Sequence, residues 1–371
     1  MRKRKTGLLG LIILLNFSFV SFSQKPSKLD NSWIRVQGNF GALISEYQFA
    51  NYLVNKPLGA FEISWNKRTT GKNLWEQVYK FPEYGITFQY TSLGNPTVFG
   101  HEVALYPYMQ GFFYRGKKMQ VFHQFGFGVG YATKRFNLEN NYQNIAVGSH
   151  LNFHFNFKTG ARYLLNDHFL LDGGLTFAHF SNANMSEPNL GLNMVYAFLG
   201  VSKSIGKQSP IVKNEIPKHL KKHEFAVIYA AGGKHTRALQ SDKYFTSSLS
   251  GEYKFHWKRK FYVGAGLDLF YDSSTEIEMS ARGKNNHRPR DDFRTGIHFS
   301  QEIVYDRFSF ILQEGFYFGL VDMVSNSTMY NRAILRWRFT ENLLVHISMK
   351  SHLHILDYPE LGFGYHFRTK K

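Results

Sequence analysis

Polar and apolar residues alternate along most of this chain. Between Leu151 and Ala161 one set reads Leu151, Phe153, Phe155, Phe157, Thr159 and Ala161, and the other Asn152, His154, Asn156, Lys158 and Gly160. Successive side chains of a strand point to opposite faces, so the run predicts a strand with one apolar and one polar side. The same period recurs at Ile34 to Phe40 around Arg35, Gln37 and Asn39, and at Gly59, Phe61, Ile63 and Trp65 against Glu62, Ser64 and Asn66. It returns at Ala333, Leu335, Trp337 and Phe339 against Arg332, Arg336 and Arg338. A soluble sandwich would turn the apolar side into a core. A membrane barrel turns it to lipid and accepts charge in the lumen.

Such runs predict about sixteen strands, with fourteen also compatible, near 33–43, 57–67, 84–92, 101–115, 119–133, 151–165, 169–181, 193–204, 224–236, 244–257, 261–273, 292–305, 308–320, 331–339, 343–352 and 359–367. Alternate connections are short: Arg115 to Lys118, Asn166-Asp167, Lys258 to Lys260, Asp306-Arg307 and Thr340 to Asn342. Short turns on one side and long loops on the other describe an all-β, antiparallel, up-and-down transmembrane barrel with short periplasmic turns. The long loops at 44–56, 134–150, 182–192, 274–291 and 321–330 then face the exterior. Two connections on the periplasmic side are long, 68–83 and 205–223, and the second divides the strands into two groups of eight. Because closure removes exposed edges, the expectation is one barrel: 24–206 as its first eight strands, 207–223 as a periplasmic linker, and 224–371 completing the wall. Two tandem eight-stranded barrels are the alternative.

The start of the chain adds an address. Four basic residues, Arg2 to Lys5, precede an apolar run from Leu8 to Phe22 and the small residues Ser21 and Ser23. This predicts a signal peptide over residues 1–23, cleaved before Gln24, because the run falls short of the roughly 20 apolar residues a spanning helix needs. Its removal lowers the net charge from +18 to +14. Without cysteine the chain has no disulfide, thiolate metal site or cysteine nucleophile. The 17% aromatic content suits strands with aromatic girdles. For an exported barrel of the bacterial outer membrane the basic balance does not point to nucleic acid. The closing Gly362-Phe363-Gly364-Tyr365-His366-Phe367 resembles the C-terminal assembly signal of outer-membrane proteins.

Chemistry gathers at the end of the seventh strand. Leu171, Gly173, Leu175 and Phe177 form its lipid side, and His179 and Ser181 continue that side at the extracellular rim. Residues two apart on a strand lie roughly 7 Å from each other, within reach of proton transfer between imidazole and hydroxyl. Asn182 and Asn189 can supply amide donors to an oxyanion, and Asn193 shares the parity of Val195, Ala197 and Leu199 and so can stand beside His179. Elsewhere, Arg282, Lys284, His287, Arg288, Arg290 and Arg294 make a basic exterior loop that reads first as solvated charge and second as a phosphate contact. His352, His354, Asp357 and Glu360 lack recognised metal-ligand spacing, so no metal site is expected.

His179-Phe180-Ser181-Asn182 followed by Pro188-Asn189-Leu190-Gly191-Leu192-Asn193 resembles the active-site segment of PagL-type lipid A 3-O-deacylases, relatives of the acyloxyacyl hydrolases, over roughly residues 30–206. The resemblance implies an outer-membrane esterase that removes an acyl chain from the lipid A of lipopolysaccharide in the outer leaflet, with no cofactor. It implies Ser181 as nucleophile, His179 as base and Asn182 with Asn189 as the oxyanion hole. The family has a glutamate where this chain has Asn193; an asparagine carbonyl can still accept the imidazole N–H. Glu187 is an alternative acid. The competing reading is a non-enzymatic porin or structural barrel retaining that segment, with Asn152, His154, Lys158, Arg332 and Arg336 in the lumen.

Overall fold

Sixteen antiparallel strands and a few short helical segments make up the computed structural model, which describes residues 27–44, 52–236, 242–353 and 355–368. The expected signal segment, 1–23, lies outside the described residues. The strands are β1 (Ser32–Ile44), β2 (Leu58–Arg68), β3 (Glu83–Ser92), β4 (His101–Arg115), β5 (Met119–Ala132), β6 (Leu151–Leu164), β7 (Phe169–Ser181) and β8 (Leu192–Ile205). They continue with β9 (His223–His235), β10 (Lys243–Lys258), β11 (Phe261–Asp272), β12 (Phe293–Tyr305), β13 (Phe308–Tyr317), β14 (Met329–Arg338), β15 (Leu343–His352) and β16 (Ile355–Arg368). Helix α1 (Leu74–Val78) fills the β2–β3 connection, and α2 (Thr275–Ala281) lies in the loop after β11. Bounds differ most at β16, which starts four residues earlier than the alternation suggests, through Pro359, and at β13, which stops at Tyr317.

The expectation of one wall is corrected. β1–β8 close into one barrel and β9–β16 into another. β8 returns to β1 from Ser32↔Ile205 to Ile44↔Asn193, and β16 pairs with β9 from Glu360↔Gly232 to Arg368↔Glu224. Closure does remove every edge, but eight strands suffice for it, and the exposed chain of residues 206–222 joins two finished cylinders.

The alternation sorts residues as expected. Val36, Phe40, Phe61, Ile63, Leu175, Phe177 and Leu199 are exposed on the first barrel's outside, while Arg35, Gln37, Glu62, Lys158, Arg162 and Asp172 are buried in its lumen. An eight-stranded barrel has an interior just wide enough for side chains. Buried charges there need partners, because an isolated ion out of water is costly. Lys158 Nζ lies 2.7 Å from Glu62 Oε2, and Gln37 and Asn39 donate to Glu62 Oε1 at 3.1 Å each. Arg162 bridges Asp172 at 2.7 Å and Glu83 at 2.8 Å. In the second barrel Arg336 grips Glu252, Lys254 pairs with Glu302, and Asp268 gathers His298, Arg332 and Tyr330. The residues considered as pore lining are thus buried; Lys158, Arg332 and Arg336 are locked in ion pairs, and His154 is hydrogen-bonded to Glu102.

The basic loop is partly rewritten as well. Arg294 belongs to the lumen, where it lies 3.5 Å from both Asp272 and Asp322. Of the others, His287 pairs with Asp292 and Arg288 with Asp291. His354 lies outside the described residues. His352 and Asp357 are committed to Asp322 and to Lys234 and Lys350, and Glu360 accepts from Ser248 and Ser348 inside the barrel.

Removing one partner of a buried pair leaves the other charge uncompensated. Lys158→Met is therefore expected to cost about 3–5 kcal/mol, read as a lowered guanidinium midpoint for the protein in lipid vesicles; an unchanged midpoint would show that the pair contributes nothing.

Candidate active site

β7 carries the apolar outer row Leu171, Gly173, Leu175 and Phe177 up to His179 and Ser181, and its register decides what stands beside them. His179 lies opposite Asn193 of β8 and opposite Phe155 of β6. The three side chains meet as a line. His179 Nε2 is 2.9 Å from Ser181 Oγ, and His179 Nδ1 is 2.6 Å from Asn193 Oδ1. Because an amide oxygen can only accept, Nδ1 carries the proton and donates to Asn193. Nε2 then presents its lone pair to the Ser181 hydroxyl. Ser181 is 9% exposed, so the hydroxyl is shielded while the faces below it are open to lipid.

The loop between β7 and β8 folds back over this line. Asn182 is fully buried and closes the loop on itself: its Nδ2 donates to the Ser186 carbonyl at 2.8 Å, and its Oδ1 accepts from the Ser186 N–H at 3.2 Å. Asn182, expected as a side-chain donor to an oxyanion, thus has one amide N–H committed to the loop. The Asn182 backbone N–H donates to Asn189 Oδ1 at 2.9 Å. This fixes the Asn189 amide plane, and among the described residues its Nδ2 meets no acceptor. Gly191 closes the loop with φ of +71° and donates its N–H to the Ala146 carbonyl. A Cβ at Gly191 would sit 3.0 Å from His179 Cε1 and 3.2 Å from Ser181 Cβ, so only glycine passes this close to the pair.

Glu187 does not take the orienting role, because Asn193 fills Nδ1. Its backbone N–H donates to His235 Nδ1 at 3.3 Å, at the rim of the second barrel. Burial pushes its carboxyl up from the ordinary range, against the pull of His235 and the Asn189 N–H. The structure thus brings together His179, Ser181 and Asn193, ties Asn189 to the backbone of neighbouring Asn182, and sets Glu187 against His235 instead of His179. Sequence reading missed Ser186, Gly191 and His235. The glycine's place in the Asn-Leu-Gly segment was a signal; nothing local pointed to His235.

Comparison with known proteins follows this division. The family model for lipid A 3-O-deacylase (PagL) matches residues 59–202, and the model for the acyloxyacyl hydrolase C-terminal domain matches residues 223–369. No curated protein matches the chain. Among solved structures, Neisserial surface protein A shares 9% identity over 47% of this chain and 97% of its own, with a TM-score of 0.33. The outer membrane enzyme PagL shares 17% over 45% of this chain and 97% of its own, with a TM-score of 0.32. OccK11 (OpdR) of Pseudomonas aeruginosa shares 10% over 91% and 95%, with a TM-score of 0.22. Over its first barrel the chain is thus similar to the lipid A 3-O-deacylase (PagL) family, and over its second to the acyloxyacyl hydrolase C-terminal domain.

Proposed function

We propose that the first barrel is a serine esterase that removes an acyl chain from lipid A. The apolar outer faces and the match to the PagL model support a place in the bacterial outer membrane, and the same match supports hydrolase chemistry. The observation that carries the finer reading is the unbroken Asn193–His179–Ser181 line, which continues the outward apolar row of β7. Ester bonds of an outer-leaflet glycolipid are presented at that depth.

In this reaction the Ser181 oxygen forms a bond to the ester carbonyl carbon while its proton passes to His179 Nε2. The carbonyl oxygen becomes an oxyanion, towards which Asn189 Nδ2 is the amide donor left available. Collapse breaks the bond to the sugar oxygen, which takes the proton back from Nε2. Water then repeats the cycle on the acyl-serine, losing a proton to Nε2, and releases a carboxylic acid and free Ser181. Asn193 holds the tautomer throughout, but its neutral oxygen stabilises the imidazolium less than a carboxylate does.

Mass spectrometry of lipid A from cells with and without the protein tests the reading. Loss of one acyl chain, abolished by Ser181→Ala, is expected; an unchanged acylation pattern with the wild-type chain would reject it. Asn193→Asp puts a carboxylate oxygen where the amide oxygen sits and is expected to raise kcat by about 10-fold or more, whereas Asn193→Leu frees the tautomer and lowers it by roughly 100-fold. Initial rates on purified lipid A check both signs. Gly191→Ala, strained by its backbone angle and crowded against the imidazole, is expected to reduce kcat by at least about 10-fold with the barrel still folded on a heat-modifiability gel; wild-type turnover would show that the loop yields freely.

A further inference from the structure

The match of the second barrel names a family but gives it no task, and its lumen is filled with paired charge. Its outer rim, however, touches the loop that covers the candidate site. The His235 N–H donates to the Asn184 carbonyl at 3.4 Å, Asn184 Nδ2 donates to the Asp357 carbonyl at 3.1 Å, and the Glu187 N–H donates to His235 Nδ1. These three bonds bracket Ser186, whose backbone is held on both sides by the Asn182 side chain.

We infer that the second barrel is a positioning partner of the esterase site, with His235 and Asp357 holding the loop of residues 182–190 in the shape that presents Asn189 above Ser181. The inference rests on the esterase reading for its consequence, and on geometry alone for the brace. One feature of the loop calls for such a brace. Ala183 and Asn184 stand side by side at φ of 53° and 66°, a region that asparagine tolerates but alanine avoids, so that Ala183 is held there by its surroundings. Asn184, the outer of the two, is the residue that the second barrel grips twice.

The brace is itself anchored. Lys234, adjacent to His235, reaches Asp272 at 2.8 Å, Glu278 at 3.0 Å and Asp357 at 3.1 Å, and Lys350 holds the other Asp357 oxygen at 2.7 Å. One buried ammonium thus ties together the two rim positions that contact the loop. Lower down, Phe125 approaches Phe310 with ring centroids 6.3 Å apart, and Tyr79 stacks on Tyr305 at 3.9 Å, so the cylinders lean on each other below the rim as well. Phe125 packs on Phe155, which is opposite His179, so the wall of the second barrel also borders the lipid space below the site.

The test uses the full chain in lipid, with His235→Ala and His235→Asn, whose Oδ1 can replace Nδ1 as acceptor. His235→Ala is expected to lower kcat by about 10-fold with KM changed by less than about twofold, and to speed hydrogen exchange of the amides in 182–190. His235→Asn is expected to restore both. Wild-type kcat with unchanged exchange in His235→Ala would overturn the brace, as would a loss that His235→Asn fails to recover. Ser181→Ala run alongside keeps the two claims apart: if it still deacylates, the esterase assignment of that serine falls, and the exchange rates alone decide the brace.

Discussion

In hydrocarbon every backbone N–H and C=O must find a partner within the protein, and this single requirement shapes both halves of the chain. Strands meet it only when the sheet closes. Closure at eight strands leaves a lumen that the inward side chains fill in this protein, so the polar face of every strand must solve its own electrostatics there. That is why Glu62 collects Lys158, Gln37 and Asn39, and why Asp268 collects Arg332, His298 and Tyr330. With the inside occupied by its own pairs, chemistry on a lipid has one place to go: the outer face near the rim. His179 and Ser181 occupy that face because they continue the apolar row of β7 by even steps.

Much of this was legible in the alternation. Strand positions and the outward parity of His179 follow from a period of two and from turn lengths. The number of barrels did not, because alternation records which way a side chain points and not which strand lies beside it. The partner of β8 is β1, and nothing in the run from Leu192 to Ile205 distinguishes that pairing from one with β9. The site shows the same boundary. Asn193 sits on a strand apolar on both faces, so its parity was readable but its place opposite His179 depends on register.

The loop was the least legible part. Asn182 and Asn189 look alike in sequence, yet one spends its amide on the Ser186 carbonyl and the other is steered by a backbone N–H, and only the three-dimensional path of the loop separates them. Glu187 looked like a carboxylate in search of a histidine; it sits against one, but the histidine is His235 of the other barrel. The two cylinders are thus joined through the 206–222 connection and through contacts at the rim, and the second of these joins reaches the residues around Ser181.

The central claim is that Ser181 is an activated nucleophile that meets its substrate from the membrane side. Labelling with a long-chain fluorophosphonate partitioned into the bilayer, followed by peptide mass spectrometry, addresses it most directly. An adduct is expected on Ser181 that disappears in His179→Ala and that a short water-soluble analogue forms far more slowly. An adduct on another serine, or none on Ser181 while lipid A is being deacylated, would contradict it.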